Sequence, residues 1–226
     1  MDMKKYMYLF LLCLWFPAKA ISQLNAGFQL QYAQALGELK EESYRNGGGL
    51  NLDILYGEFG TSLPIVFQTG IQADFNFHGQ ESESVTLNTG ETAEISIRNQ
   101  NAGIFGTIRA LSPYSPVRVY LDGLIGTRFF FSQDVFMLEG AEDSDIEGIT
   151  NTWAFSYGGA IGLLVQINDE LSIDARLKYT QGSWAEYVDL ETVELVNDEF
   201  IYDFQRSTTQ LLTFQLGISL YLSEIL

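Results

Sequence analysis

The chain has 226 residues, with 12 Lys and Arg against 29 Asp and Glu, a net charge of −17, one histidine and one cysteine. So acidic a protein does not hold nucleic acid by counterion release. Beyond residue 20 no run reaches the roughly eighteen consecutive apolar residues of a spanning helix; a closed barrel stays open, because it also satisfies its backbone groups in lipid.

Residues 1–20 begin with Lys4 and Lys5, continue as an apolar run from Tyr6 to Phe16 and end in Ala18-Lys19-Ala20. This pattern reads as a secretory signal peptide cleaved after Ala20. Cys13 follows Leu11 and Leu12, where a lipid-anchored protein would carry small residues,. The exported domain, 21–226, then has no cysteine, and packing and hydrogen bonds must stabilise it instead of disulfides.

From there the chain alternates. Apolar residues recur at alternate positions over Leu24–Tyr32, Leu50–Tyr56, Ile65–Phe77, Ala102–Ala110, Val117–Phe131, Trp153–Ile167, Leu171–Tyr179 and Leu212–Leu222, interrupted on that set by Thr69, Gly106, Gly123, Thr127 and Gly159. Period two is the signature of strands whose two faces meet different surroundings. The fourth segment is the least regular, because Phe105 falls on its polar set. Eight such segments predict an all-β fold, an eight-stranded antiparallel up-and-down barrel. The links alternate too: 58–64, 112–116 and 168–170 are short, whereas 37–48, 78–93, 132–152 and 181–208 are long. Short turns at one rim and long loops at the other form the outer-membrane pattern.

Two features decide which face is wet. A soluble barrel would show the same alternation with its apolar set inside, but its surface would carry about a quarter to a third charged residues. Here the polar set is rich in Gly, Ser, Thr and Gln. Its charges are Arg109, Arg118, Arg128, Arg176 and Lys178 against Asp53, Asp74, Asp122 and Asp174. Five positive and four negative side chains, near balance in an acidic protein, read as a charge network in the barrel interior, where ions must be paired. Aromatic residues of the apolar set (Tyr32, Phe75, Phe77, Phe129, Phe131, Trp153, Phe155, Tyr157, Tyr179 and Phe214) gather toward the long-loop rim, as in an interfacial girdle,. The apolar set therefore faces lipid, and the barrel is transmembrane.

With its eight segments and a final strand "LLTFQLGISLYL", the chain resembles the small eight-stranded outer-membrane barrels of Gram-negative bacteria, the OmpA- and OmpX-like proteins and the PorT-like β-barrel domains. The resemblance is architectural and covers residues 24–222. It implies residence in outer-membrane lipid and recognition of the last strand by the barrel-assembly machinery. The chain departs from the common pattern by continuing past that strand through Ser223 to Leu226.

No motif identifies a reaction or a cofactor. "DSDIEG" (143–148) opens like a calcium loop but has Ala154 where an EF-hand needs a bidentate Glu,. His78 precedes Glu81, Ser82, Glu83 and Ser84, a set that invites comparison with the His-Ser-acid lipid A enzymes. Gln80 occupies the serine position of the deacylases' H-x-S arrangement, and the protein reads as non-enzymatic,. "NGGG" (46–49) reads as a turn, since no GK[ST] follows,. Residues 83–97 read as a hairpin around Asn88-Thr89-Gly90, and 184–204 as strands about a turn near 191–198; both extend beyond the membrane with exposed edges. Residues 132–152 hold six acidic side chains, 184–204 hold seven, and neither stretch has a Lys or Arg. The expected function is structural or protein-interacting, through long acidic extracellular loops that meet an extracellular protein partner, with a PorT-like secretion role as one form. The alternative is a narrow conduit for ions or small solutes.

Overall fold

A computed structural model describes residues 24–41, 44–59, 65–86, 92–113, 115–138, 144–196 and 199–222. The expected signal peptide and the turn at 88–90 lie outside them. The elements are β1 (Leu24–Ala35), α1 (Glu38–Glu41), β2 (Gly47–Phe59), β3 (Val66–Thr86), β4 (Thr92–Leu111), β5 (Val117–Leu138), β6 (Ser144–Gln166), β7 (Leu171–Val188), β8 (Glu194–Val196), β9 (Glu199–Ile201) and β10 (Phe204–Leu222). Eight strands close in the order β1-β10-β7-β6-β5-β4-β3-β2, each antiparallel to its neighbours, while β8 and β9 form a separate hairpin. The fold is an eight-stranded up-and-down barrel.

The exterior carries the apolar set. Leu30, Ile71, Ile108, Ile125 and Leu216 are each about 60% exposed, whereas the alternate polar positions are buried. In water such a continuous apolar band would cost about 25 cal/mol for each Å² exposed, so its surroundings are lipid. Four of the girdle aromatics form a contiguous run on the outer face: Phe129 lies 4.7 Å from Trp153 and 5.3 Å from Phe131, and Phe131 lies 6.4 Å from Phe75.

Three expectations are corrected. Residues 78–93 and 132–152 are mostly strand, not loop: β3, β4, β5 and β6 run for 21, 20, 22 and 23 residues. About ten residues per strand cross a bilayer, and the remainder stands above it. Gly47–Gly49 is strand within β2, not a turn. A Cβ on Gly49 would lie 1.8 Å from the Phe75 carbonyl oxygen, so the glycine serves a close approach of β2 to β3,. Finally, Glu186–Val188 belongs to the ladder, paired with Phe204–Arg206 of β10.

The ladders end at different heights. β3–β4, β4–β5 and β5–β6 continue to Thr86↔Thr92, Ala93↔Leu138 and Met137↔Ser144. β2–β3 stops at Gly48↔Phe77, β1–β10 at Ala35↔Leu211 and β6–β7 at Ser156↔Gly182. Above the girdle the barrel thus opens into a four-stranded sheet, β3 to β6, and a two-stranded ribbon, β7 with β10.

Candidate functional site

Period two places the nine expected charged residues inward, and all nine are buried. Eight form two clusters. In the lower one, nearer the short turns, Arg109 grips Asp122 through Nε at 2.7 Å and Nη2 at 2.9 Å. Arg176 donates from Nη2 to Asp53 at 3.0 Å and to Asp174 at 2.8 Å, and from Nε to the Tyr120 hydroxyl at 2.7 Å. Tyr120 in turn donates to Asp174 and lies under the Arg109 guanidinium, 3.8 Å from its ring centroid. In the upper cluster Asp74 accepts from Arg128 at 2.8 and 3.0 Å and from Lys178 at 2.7 Å. Phe105 fills the space between these cations, 5.3 Å from the Arg128 guanidinium and 5.4 Å from the Lys178 ammonium. Arg118 stands apart at the short-turn rim, donating to the Ser112 carbonyl and the Tyr221 hydroxyl. In the two clusters, four cations therefore face four carboxylates.

Two inward aromatics did not figure among the charged set. Tyr120 shares the inward set of Arg118 and Asp122, so period two signals it. Phe105 is the residue that made the fourth segment irregular; it points inward and is fully buried.

The mouth above these clusters is covered. Tyr44, from the link after α1, is buried 4.6 Å from the His78 ring, 4.7 Å from Tyr187 and 5.9 Å from Phe130. Burial raises its phenol above the ordinary value, so it stays neutral,. His78 is anchored by its Nδ1, 2.8 Å from the Arg45 carbonyl oxygen. Two of its supposed partners are engaged elsewhere: Ser82 accepts from Gln80 at 2.7 Å, and Glu81 pairs with Arg45 at 2.9 Å. Ser144–Gly148, the described part of the calcium-like motif, is extended strand paired with Gln133–Met137. Among the described residues no group of three or more His, Cys, Asp or Glu is placed to hold a metal ion.

The ribbon leans over the mouth. The Val188 amide donates to Ser132 at 3.3 Å, and its carbonyl accepts from Asn99 at 2.7 Å. Val188 and Leu190 pack with Ile97 of β4, flanked by Ile149, Val193 and Tyr202. The extension thus has its own apolar core above the polar interior.

No family model matches the chain, and no curated protein does. Similar solved structures include Neisserial surface protein A, at 11% identity over 87% of this chain and 96% of that one, with a TM-score of 0.44. Another is the attachment invasion locus protein Ail of Yersinia pestis in complex with the heparin analogue sucrose octasulfate, at 15% identity over 88% and 97%, with a TM-score of 0.37. A third is a major outer membrane protein of Thermus thermophilus, at 14% identity over 87% and 99%, with a TM-score of 0.41. The membrane reading rests on the apolar exterior and the ion-paired interior of this chain itself.

Proposed function

We propose that the protein is a non-enzymatic outer-membrane barrel that presents its acidic extracellular extension to another protein, and that its interior is a structural plug. The observation that carries this reading is the stacking of three filled layers: two ion-paired clusters, the Tyr44–His78–Tyr187 cover, and the Ile97–Val188–Leu190 core. An eight-stranded barrel has room inside only for side chains, and here those side chains bind each other. Opening a conduit would mean separating buried pairs such as Arg128–Asp74, at a cost of several kcal/mol each. The extension, by contrast, faces water on its outer side, and residues 132–152 and 184–204 hold 13 of the chain's 29 acidic residues and no Lys or Arg. Charge concentrated on an exposed face steers and selects partners.

Purified protein in a planar bilayer should give no discrete current steps. Regular steps would replace this reading with that of a conduit. Replacing residues 189–203 with Asn-Gly, which joins the paired Val188 and Phe204 through a tight turn,, should leave a barrel whose gel migration still changes on boiling.

A further inference from the structure

His78 is the chain's only histidine, and the backbone is shaped around it. β3 carries a bulge there: Phe77 pairs with Gln100 and Gln80 with Arg98, so one extra residue is accommodated. The bulge bends β3 at His78, just beyond the membrane-crossing run Ile65–Phe77, and Gly79 completes it at a φ of +105°,. Across from it, a Cβ on Gly47 would lie 2.8 Å from His78 Nδ1, so a glycine in β2 leaves space for the ring. The imidazole is fully buried. A carbonyl oxygen only accepts, so the bond to Arg45 fixes the proton on Nδ1,. Nε2 therefore holds a bare lone pair, buried and with no hydrogen-bond partner among the described residues.

We infer that His78 is an acid-sensitive latch: a proton on Nε2 releases Tyr44–Asn46 from the mouth, while the ion-paired clusters below stay closed. In the covered state that proton meets no acceptor. The Arg45 carbonyl already takes Nδ1–H, and Tyr44 from the same link offers a neutral ring. From β5 the Arg128 guanidinium adds like charge. From β3 the Asp74 carboxylate attracts, but it already binds Arg128 and Lys178. From β2 the neighbour is Gly47, which carries no charge. An imidazolium buried in this way is costly, whereas water solvates it once the link lifts. Burial is the main cause that holds the ring's pKa down to about 4, from an ordinary 6.5. The cover is therefore fully stable above 6.5 and loses stability as pH falls from there toward about 4,. The other tie of this link, Arg45 to Glu81, is an exposed pair that water screens,. Lifting Tyr44 uncovers Phe130 and Tyr187, so acid adds an apolar patch to the extracellular face.

The test follows amide exchange of the full chain in lipid nanodiscs between pH 7 and 5, each rate taken against the intrinsic one. This window lies above the ordinary carboxylate range, and the chain has no other histidine to titrate in it,. The Ala35 amide donates to Asn46 Oδ1 at 3.1 Å and reports on the link. Its protection should fall roughly twentyfold from pH 7 to 5, while amides of the β4–β5 ladder at Ile104 and Ile108 keep theirs. His78→Phe keeps a ring without a titrating nitrogen and should make the Ala35 protection constant over the window, whatever its level. Undiminished protection in the parent at pH 5, or the same fall in His78→Phe, overturns the inference. An equal fall in the β4–β5 ladder also overturns it, because the change would then be global. The ring-nitrogen resonances of His78 in the parent decide the matter even if the variant does not fold. A charged ring alongside full Ala35 protection at pH 5 overturns the latch; a ring that is neutral whenever Ala35 is protected supports it.

Discussion

The two halves of β4 make opposite use of the same alternation. In the lower half Ile104 and Ile108 face outward and exposed, while Asn101 and Arg109 are buried inside. In the upper half Ile97 is the buried inward residue and Glu94 is exposed. β7 repeats this: Asp174, Arg176 and Lys178 point inward below, Tyr187 and Val188 are buried above. The hydrophobic effect is identical in both halves; only the solvent outside changes, lipid below and water above. One strand can therefore be inside-out at its base and ordinary at its tip, and the level at which apolar residues change sides marks the membrane surface.

The comparison breaks most sharply in the lower interior. Asp74→Leu leaves Arg128 and Lys178 buried around a lost carboxylate and should destabilise refolded barrel by about 3–5 kcal/mol in urea titration. A change near zero would mean that water reaches these cations. Ile97→Ala in the upper core should cost about 2 kcal/mol, but locally: proteolysis and amide exchange should quicken in the extension while the barrel keeps its gel shift. Leu163→Ala on the lipid face should stay within about 0.5 kcal/mol, because lipid fills the space that a protein core would leave empty. A cost like that of Ile97→Ala would place Leu163 in a packed core and contradict the membrane reading.

The smallest effect concerns the strap between β1 and β2. Glu38 accepts from the Thr208 amide at 3.0 Å and from its hydroxyl at 2.8 Å, and these bonds, the amide first, hold its carboxyl below the ordinary value of 4.5. A lowered carboxylate pKa gives a contribution that is complete above the ordinary value and lost as pH falls through the lowered one. The protection of the Thr208 amide, its exchange taken against the intrinsic rate at each pH, should therefore fall on acidification below that range, and Glu38→Gln should remove this pH dependence.

What could be read from the sequence follows the same division. In the lower half the contrast between lipid and a polar interior is extreme, so runs such as Ile65–Phe77 alternate cleanly, and even Tyr120 falls on the inward set. The upper half faces water on one side and only a small core on the other. There Ser132-Gln133-Asp134 is followed by four apolar residues, Val135–Leu138, and a register shift opposite Ile149 moves the phase by one; the period is lost although the strand continues. Glycine composition misled at 47–49, because close approach to β3 and not a turn requires Gly47 and Gly49. The sign and face of the interior charges follow from period two, but the pairings do not: Arg176 and Asp53 are 123 residues apart and meet only when the barrel closes. Tyr44 lies in a link with no period, so its burial depends on where that link folds.

Spin labels along the outer face of β4 test the central claim most directly. Single cysteines at Glu94, Ile104 and Ile108, in a chain whose sole cysteine is Cys13, would be labelled in lipid bilayers and probed with oxygen and a water-soluble nickel relaxant. The account predicts that labels at 104 and 108 respond to oxygen and that the label at 94 responds to nickel. Nickel access at 104 and 108 would show that the apolar face meets water, and would contradict it.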